Sequence, residues 1–256
     1  MTRRRPIGLG RAAAPLAGLA AALLGLAVLE ALIRLGVISK FLISPPTEVI
    51  ETFGRLATQE DLAGHFLQTF GETFAAAALA TLAGVPIGFA LYRYRLFRAA
   101  CENWVAGLAS APLVLLYPLF LVMFGRTVLT VIVMSFLSGL PAVVLKTSEG
   151  LEGVRPVLLS VGRSFNVSPG QQFWKIMLPA AVPSIFTGIR LSLLFALISV
   201  VGVEFLINFG GLGELIADLA DRFDLPGMYG AICFVTVASA CFFLAIEKVE
   251  RWLRPA

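Results

Sequence analysis

Six long apolar runs decide what this chain can fold into. They lie at about 12–33, 68–92, 105–124, 127–147, 184–207 and 228–246. Each is close to the roughly 20 residues a helix needs to cross a hydrocarbon layer ~30 Å thick. Lipid offers no partner to a stray N–H or C=O, so helices are the expected form of every run. Hydrophobic residues make up 58% of the 256 and charged ones only 14%, with a mean hydropathy of +0.89. An ordinary soluble domain is about 25% charged. One core cannot hide so much apolar surface, which excludes a soluble enzyme, a nucleic-acid module and a disordered chain despite the net charge of +4. The expected fold class is an all-α integral membrane protein, a single domain over residues 1–256.

The first run follows Arg3, Arg4 and Arg5, the arrangement of a signal peptide. It extends beyond a signal's usual apolar stretch of about 7–15 residues and has no small-residue cleavage site after a polar boundary, so it reads as a retained span. Cys101, Cys233 and Cys241 are odd in number and unpatterned, and read as small core hydrophobes. The single histidine, His65, falls in a polar stretch outside the runs, which leaves no histidine metal site and no intramembrane Ser/His dyad.

Basic residues orient the spans. One side collects Arg3, Arg4, Arg5 and Arg11, then Arg93, Arg95 and Arg98. The same side takes Lys146, Arg155, Arg163 and Lys175, and finally Lys248, Arg251 and Arg254. The other side holds only Arg34, Lys40, Arg55, Arg126 and Arg222, together with an acidic set that includes Glu60, Glu214, Asp218 and Asp224. Both termini and the 148–183 loop are therefore expected in the cytoplasm. Gly84, Pro86 and Gly88 in the second run, Pro112 and Pro118 in the third, and Gly139 and Pro141 in the fourth read as interruptions. Small residues permit close helix approach and proline frees carbonyls, so their concentration there favours a bundle around a pathway. Outside, Glu48 to about Thr58 and a stretch after Gly210-Gly211-Leu212-Gly213 look like amphipathic helices on the outer membrane surface. The second would place Leu215, Ile216, Leu219 and Phe223 on one face, with Asp218, Asp221 and Arg222 on another.

The 148–183 loop is the most informative segment. It reads as helical to Phe165 apart from a break near Pro156, and Asn166 falls where a left-handed residue would end that helix. Ser168, with Gln171 three positions on and Pro169 between, forms a capping-box pattern for a second helix. That helix carries Phe173, Trp174, Ile176 and Met177, and Pro179 is expected to break it. Phe173 and Trp174 either anchor in the membrane interface or are covered by a partner protein.

The run from Phe173 through Leu178-Pro179 to Arg190-Leu191 resembles the permease subunit of a binding-protein-dependent ABC importer. Those permeases carry a cytoplasmic E-A-A-x-x-x-G-x9-I-x-L-P signature. Ile176 and Leu178-Pro179 match its end; Asn166 falls on its Gly, and Ser160, Val161 and Gly162 fall on its E-A-A. Ser44-Pro45-Pro46-Thr47, Thr187-Gly188-Ile189-Arg190, Glu204-Phe205 and Gly211-Leu212-Gly213 are similar to nitrate/sulfonate/taurine-type permeases. The resemblance implies six transmembrane helices of the type I importer kind and a cytoplasmic coupling hairpin. It also implies a second permease subunit, expected to be a homodimer partner, a periplasmic substrate-binding protein, and ABC ATPase subunits that bind the ATP. No lysine follows a glycine, so this chain lacks a Walker A loop and no cofactor is expected on it.

On that basis Ser160, Arg163, Ser164, Phe165, Asn166, Ser168, Phe173 and Trp174 are the expected ATPase contacts. Ser110, Tyr117, Ser135, Ser138, Ser199 and Glu204 are the candidates for the translocation pathway. No cation lies within spans two to four to meet an anionic solute, which points selection toward the binding protein. Arg190, about a turn and a half into span five, reads as a snorkelling residue. The alternative is a secondary transporter driven by an ion gradient, since interrupted spans also suit alternating access.

Overall fold

The computed structural model describes residues 13–253. Arg3, Arg4, Arg5, Arg11 and Arg254, the side chain of Arg251, and with them the placement of both chain ends, lie outside the described residues. All described regular structure is helical. In order come α1 (Ala13–Arg34), α2 (Pro46–Gln59), α3 (Leu62–Arg93), α4 (Arg95–Ser110), a short 3-10 turn (Leu113–Leu116) and α5 (Tyr117–Phe124). They are followed by α6 (Val128–Glu152), α7 (Pro156–Ser164), α8 (Pro169–Gln172), a π turn (Phe173–Met177), α9 (Leu178–Ile207), α10 (Gly211–Asp221) and α11 (Leu225–Leu253).

The core is α6 gripped between α3 and α9. The glycines that read as interruptions are the contact points of these helices. A Cβ on Gly84 would come 2.7 Å from the Val143 Cβ, one on Gly88 2.6 Å from the Thr147 Cβ, and one on Gly139 2.5 Å from the Ser192 Oγ. Lipid gives helices no hydrophobic reason to associate with one another, so close backbone approach and dispersion must supply the attraction. Pro86 and Pro141 sit inside α3 and α6 without ending them. The expectation of interrupted second and fourth spans is thus corrected: both are continuous, and the small residues serve packing.

The third run is the one that breaks. It is not a straight span over 105–124, because α4 and the Leu113–Phe124 segment meet at 89°. Pro112 pushes Ala111 into an extended conformation (φ −74°, ψ 133°), and Pro118 starts the next helix in its first turn. Five helices are individually long and apolar enough to cross a membrane, and the bent pair makes a sixth.

The outer helices also depart from expectation. Leu215, Ile216 and Leu219 of α10 are buried against Leu56, Leu62, Phe70 and Leu197 of the protein, not laid on lipid. Phe223 leaves that face altogether, 86% exposed at φ 57°. Likewise α2 buries Val49 and Leu56 and packs on α11. Asp61 caps α3 by accepting from the Gly64 N–H at 3.2 Å. Glu30 of α1 accepts from the N–H and Oγ1 of Thr47, at 3.2 and 2.8 Å, and so fastens the otherwise exposed α1 to α2.

Candidate functional site: a helical hairpin and a membrane recess

Each arm of the 148–183 hairpin is closed by its own chemistry. Asn166 takes φ 52°, and its N–H donates to the Arg163 carbonyl at 3.0 Å while the Val167 N–H donates to the Gly162 carbonyl at 3.1 Å. Those two bonds satisfy carbonyls that the end of α7 would leave bare, the Schellman arrangement with Asn in glycine's place. The second arm begins with the expected capping box. Ser168 Oγ accepts from the Gln171 N–H at 3.3 Å, and Gln171 Oε1 accepts from the Ser168 N–H at 3.2 Å.

The arms are also fixed to each other. Gly162 is buried, and a Cβ there would lie 2.6 Å from Ile176 Cδ1. Gln172 Nε2 donates to the Leu159 carbonyl at 3.1 Å. The Gly162 position, the third residue of the matched signature, therefore requires a small side chain for contact with Ile176 at the signature's far end.

Pro179 does not break the second helix, contrary to expectation. The Leu178 N–H bonds to the Phe173 carbonyl five residues back, one residue wider than an α-helical bond. Widening the turn makes room for a residue that has no N–H and whose ring crowds the preceding turn. The helical path therefore runs without a stop from Pro169 to Ile207.

Exposure divides the residues expected to meet an ATPase. Phe165 is 78% and Trp174 67% exposed, and Ser160, Arg163, Ser164, Asn166 and Ser168 are exposed with them. The hydroxyls of Ser160 and Ser164 donate to the carbonyls of Pro156 and Ser160, both at 3.1 Å. Phe173 points inward instead: its ring lies 4.8 Å from that of Phe89, in the cluster of Leu151, Met177 and Ile185. Two residues escaped sequence reasoning. Val157 and Val161 are exposed on α7 at four-residue steps from Phe165 and extend its apolar edge. That i, i+4, i+8 spacing was the available signal.

The deep polar residues do not converge. Ser110 is exposed and bonds the Ala106 carbonyl, and Tyr117 packs beside Val131 and Val200. Ser135 is fully buried, while Ser138 Oγ donates to Ser199 Oγ at 3.2 Å and ties α6 to α9. Glu204 is 0% exposed, within 2.9 Å of Thr69 Oγ1 and of the Gly213 N–H. Ser138 borders a recess of about 210 Å³ between Ala109 of α4, Pro141 of α6 and Phe195 of α9. Lys146 sits on the same recess, 2.6 Å from Glu149. Arg190 places its guanidinium 4.4 Å from the Phe243 ring, so it packs between α9 and α11 and does not simply reach for water.

A bundle of helices long enough to span a membrane, with a capped helical hairpin at the foot of its longest helical path, is a build that suits a transport permease. The chain belongs to the family of binding-protein-dependent transport system inner membrane components, which it matches over residues 80–255. It is 30% identical over 232 residues to the aliphatic sulfonates transport permease SsuC of Bacillus subtilis, covering 89% of this chain and 83% of that one. It is 23% identical over 226 residues to the taurine transport system permease TauC of Escherichia coli, covering 86% and 82%. Among solved structures, the inward-facing MetNI methionine ABC transporter matches with TM-score 0.65 at 19% identity, covering 75% of this chain and 95% of that one. An amino acid ABC transporter matches with TM-score 0.64 at 18% identity, covering 78% and 98%. This chain is the permease subunit of a binding-protein-dependent ABC importer, a multi-pass inner-membrane component and not an enzyme. Its partners are an ATPase and a substrate-binding protein. The ion-gradient transporter is set aside.

Proposed function

We propose that the α7–α8 hairpin is the ATPase dock, that two copies of this chain form the pathway, and that the solute is a small sulfonate-type anion. The observation that carries the dock is the exposed apolar edge Val157, Val161, Phe165 and Trp174, held at a turn fixed by two independent capping motifs. Both ends of the chain lie in the cytoplasm, and ATP binds to the partner subunits only. Closure of two ATPases would pull the hairpins together and tilt the helical path that begins at Pro169, opening the pathway to one side at a time.

For the solute, the names of the B. subtilis and E. coli relatives agree with a recess that offers Ser138 and Lys146. Purification of the complex from its own membrane tests the dock. Phe165→Glu with Val161→Glu is expected to abolish co-purification of the ATPase while the permease still inserts; retention of the ATPase would remove the dock from the hairpin. Uptake of radiolabelled taurine and of an alkanesulfonate tests the solute. Cells lacking this chain should lose one of the two and regain it with the wild-type chain.

A further inference from the structure

The outer end of α9 is built as carefully as its cytoplasmic end. Glu204 lies in the last turn of α9, wholly buried, with no lysine or arginine paired to it among the described residues. Thr69 Oγ1 of α3 stands 2.9 Å from both of its carboxylate oxygens, and the Gly213 N–H of α10 donates to Oε2 at 2.9 Å. Thr69 Oγ1 in turn accepts the Leu212 N–H at 2.7 Å. One carboxylate and one hydroxyl thus take up two of the first free N–H groups of α10 and fasten it to α3 and α9 at once.

The glycines around it leave no slack. Gly210 and Gly211 turn at φ 66° and 71°. A Cβ on Gly211 would collide with the Glu204 carboxylate, and one on Gly213 with the Val201 carbonyl. The outward edge of α10, meanwhile, presents Glu214 and Asp218 to the outer face.

We infer that Glu204 is a positioning residue that makes α10 and α9 move as one body, so that displacement of α10 at the outer face is delivered to the α7–α8 hairpin. The link is continuous: from the clamp, α9 runs inward to the π turn and into α8, and the Gly162–Ile176 contact carries the movement across to α7. This inference rests on the hairpin being the ATPase dock, and the test separates the two.

The experiment uses the permease–ATPase complex in lipid nanodiscs, comparing wild type with Thr69→Val, Thr69→Ser and Glu204→Gln. Co-purification of the ATPase reports on the dock alone. Amide hydrogen exchange, read separately in 211–221 and in 156–172, reports on the link. Thr69→Val removes a donor to a buried carboxylate and leaves the Leu212 N–H unpaired, so exchange in 211–221 should quicken by about tenfold or more. The hairpin should quicken with it, Glu204→Gln should act in the same direction, and Thr69→Ser should restore wild-type rates in both segments. Faster exchange in α10 with an unchanged hairpin would reduce the clamp to a local brace and overturn the link. Unchanged exchange in α10 would overturn the clamp itself. Failure of both Thr69→Val and Glu204→Gln to insert, with Thr69→Ser normal, would make Glu204 a folding residue and also overturn the proposal. Retention of the ATPase by Phe165→Glu with Val161→Glu would indict the dock instead.

Discussion

At the scale of single residues, close approach sets the tolerances. Gly188 faces the Ala142 carbonyl, 3.1 Å from where a Cβ would sit, and the Lys146 Cβ at 2.8 Å. Gly188→Val is therefore expected to force α6 and α9 apart at a cost of about 1–3 kcal/mol, seen as a lower unfolding midpoint in detergent. An unchanged midpoint would mean that the helices are not in such close contact. Ser138→Ala should do far less. It removes one interhelical hydrogen bond to Ser199, of a kind that averages about 0.6 kcal/mol within a membrane bundle. Sequence spacing showed that such residues permit contact, but which helix each would meet is a matter of long-range packing. Gly84, Gly139 and Pro141 thus looked alike in the sequence as breaks and proved to be parts of continuous helices. Glu204 shows the same limit: nothing in the residues around it announces that Thr69, 135 positions away, lies against its carboxylate.

At the scale of elements, the hairpin was the most legible part of the molecule because both its signals are local. Asn166 ends α7 in the left-handed region, where a β-branched side chain is costly. Asn166→Gly should keep the hairpin intact, whereas Asn166→Val should destabilise the turn by roughly 1–2 kcal/mol and weaken ATPase co-purification. Equal co-purification by both variants would show that the left-handed turn is dispensable for docking. The opposite lesson comes from Pro179. A proline rule predicts a stop there, and the chain instead widens one turn and continues, because the packing of Met177, Ala181 and Ile185 against Leu151 rewards an unbroken path. The third run, read as one span, bends by 89°; its hydropathy could not report the angle, since both halves are apolar.

At the scale of the whole molecule, the charge asymmetry makes a direct prediction about sidedness. Ser164 and Asp221 are exposed at opposite ends of the bundle. With Cys101, Cys233 and Cys241 replaced, a membrane-impermeant maleimide added to intact cells should label Asp221→Cys and spare Ser164→Cys, with the pattern reversed in inside-out vesicles. Labelling of Ser164→Cys from outside would invert the proposed topology. The exposed apolar lengths of α1, α4 and α5 fit a protein whose remaining cover includes lipid.

The sequence by itself determined that the chain lives in lipid, which parts are helical, and how the hairpin turn is closed. Run length, charge bias and capping each depend on residues within a few turns of one another. Only the tertiary structure decided which glycines are contacts, that Phe173 turns inward while Val157 and Val161 stay exposed, and that Glu204 faces Thr69 and Gly213. Those outcomes depend on where distant helices come to lie, and in a membrane that placement is set by the fit of surfaces, because apolarity alone gives one helix no preference for another over lipid.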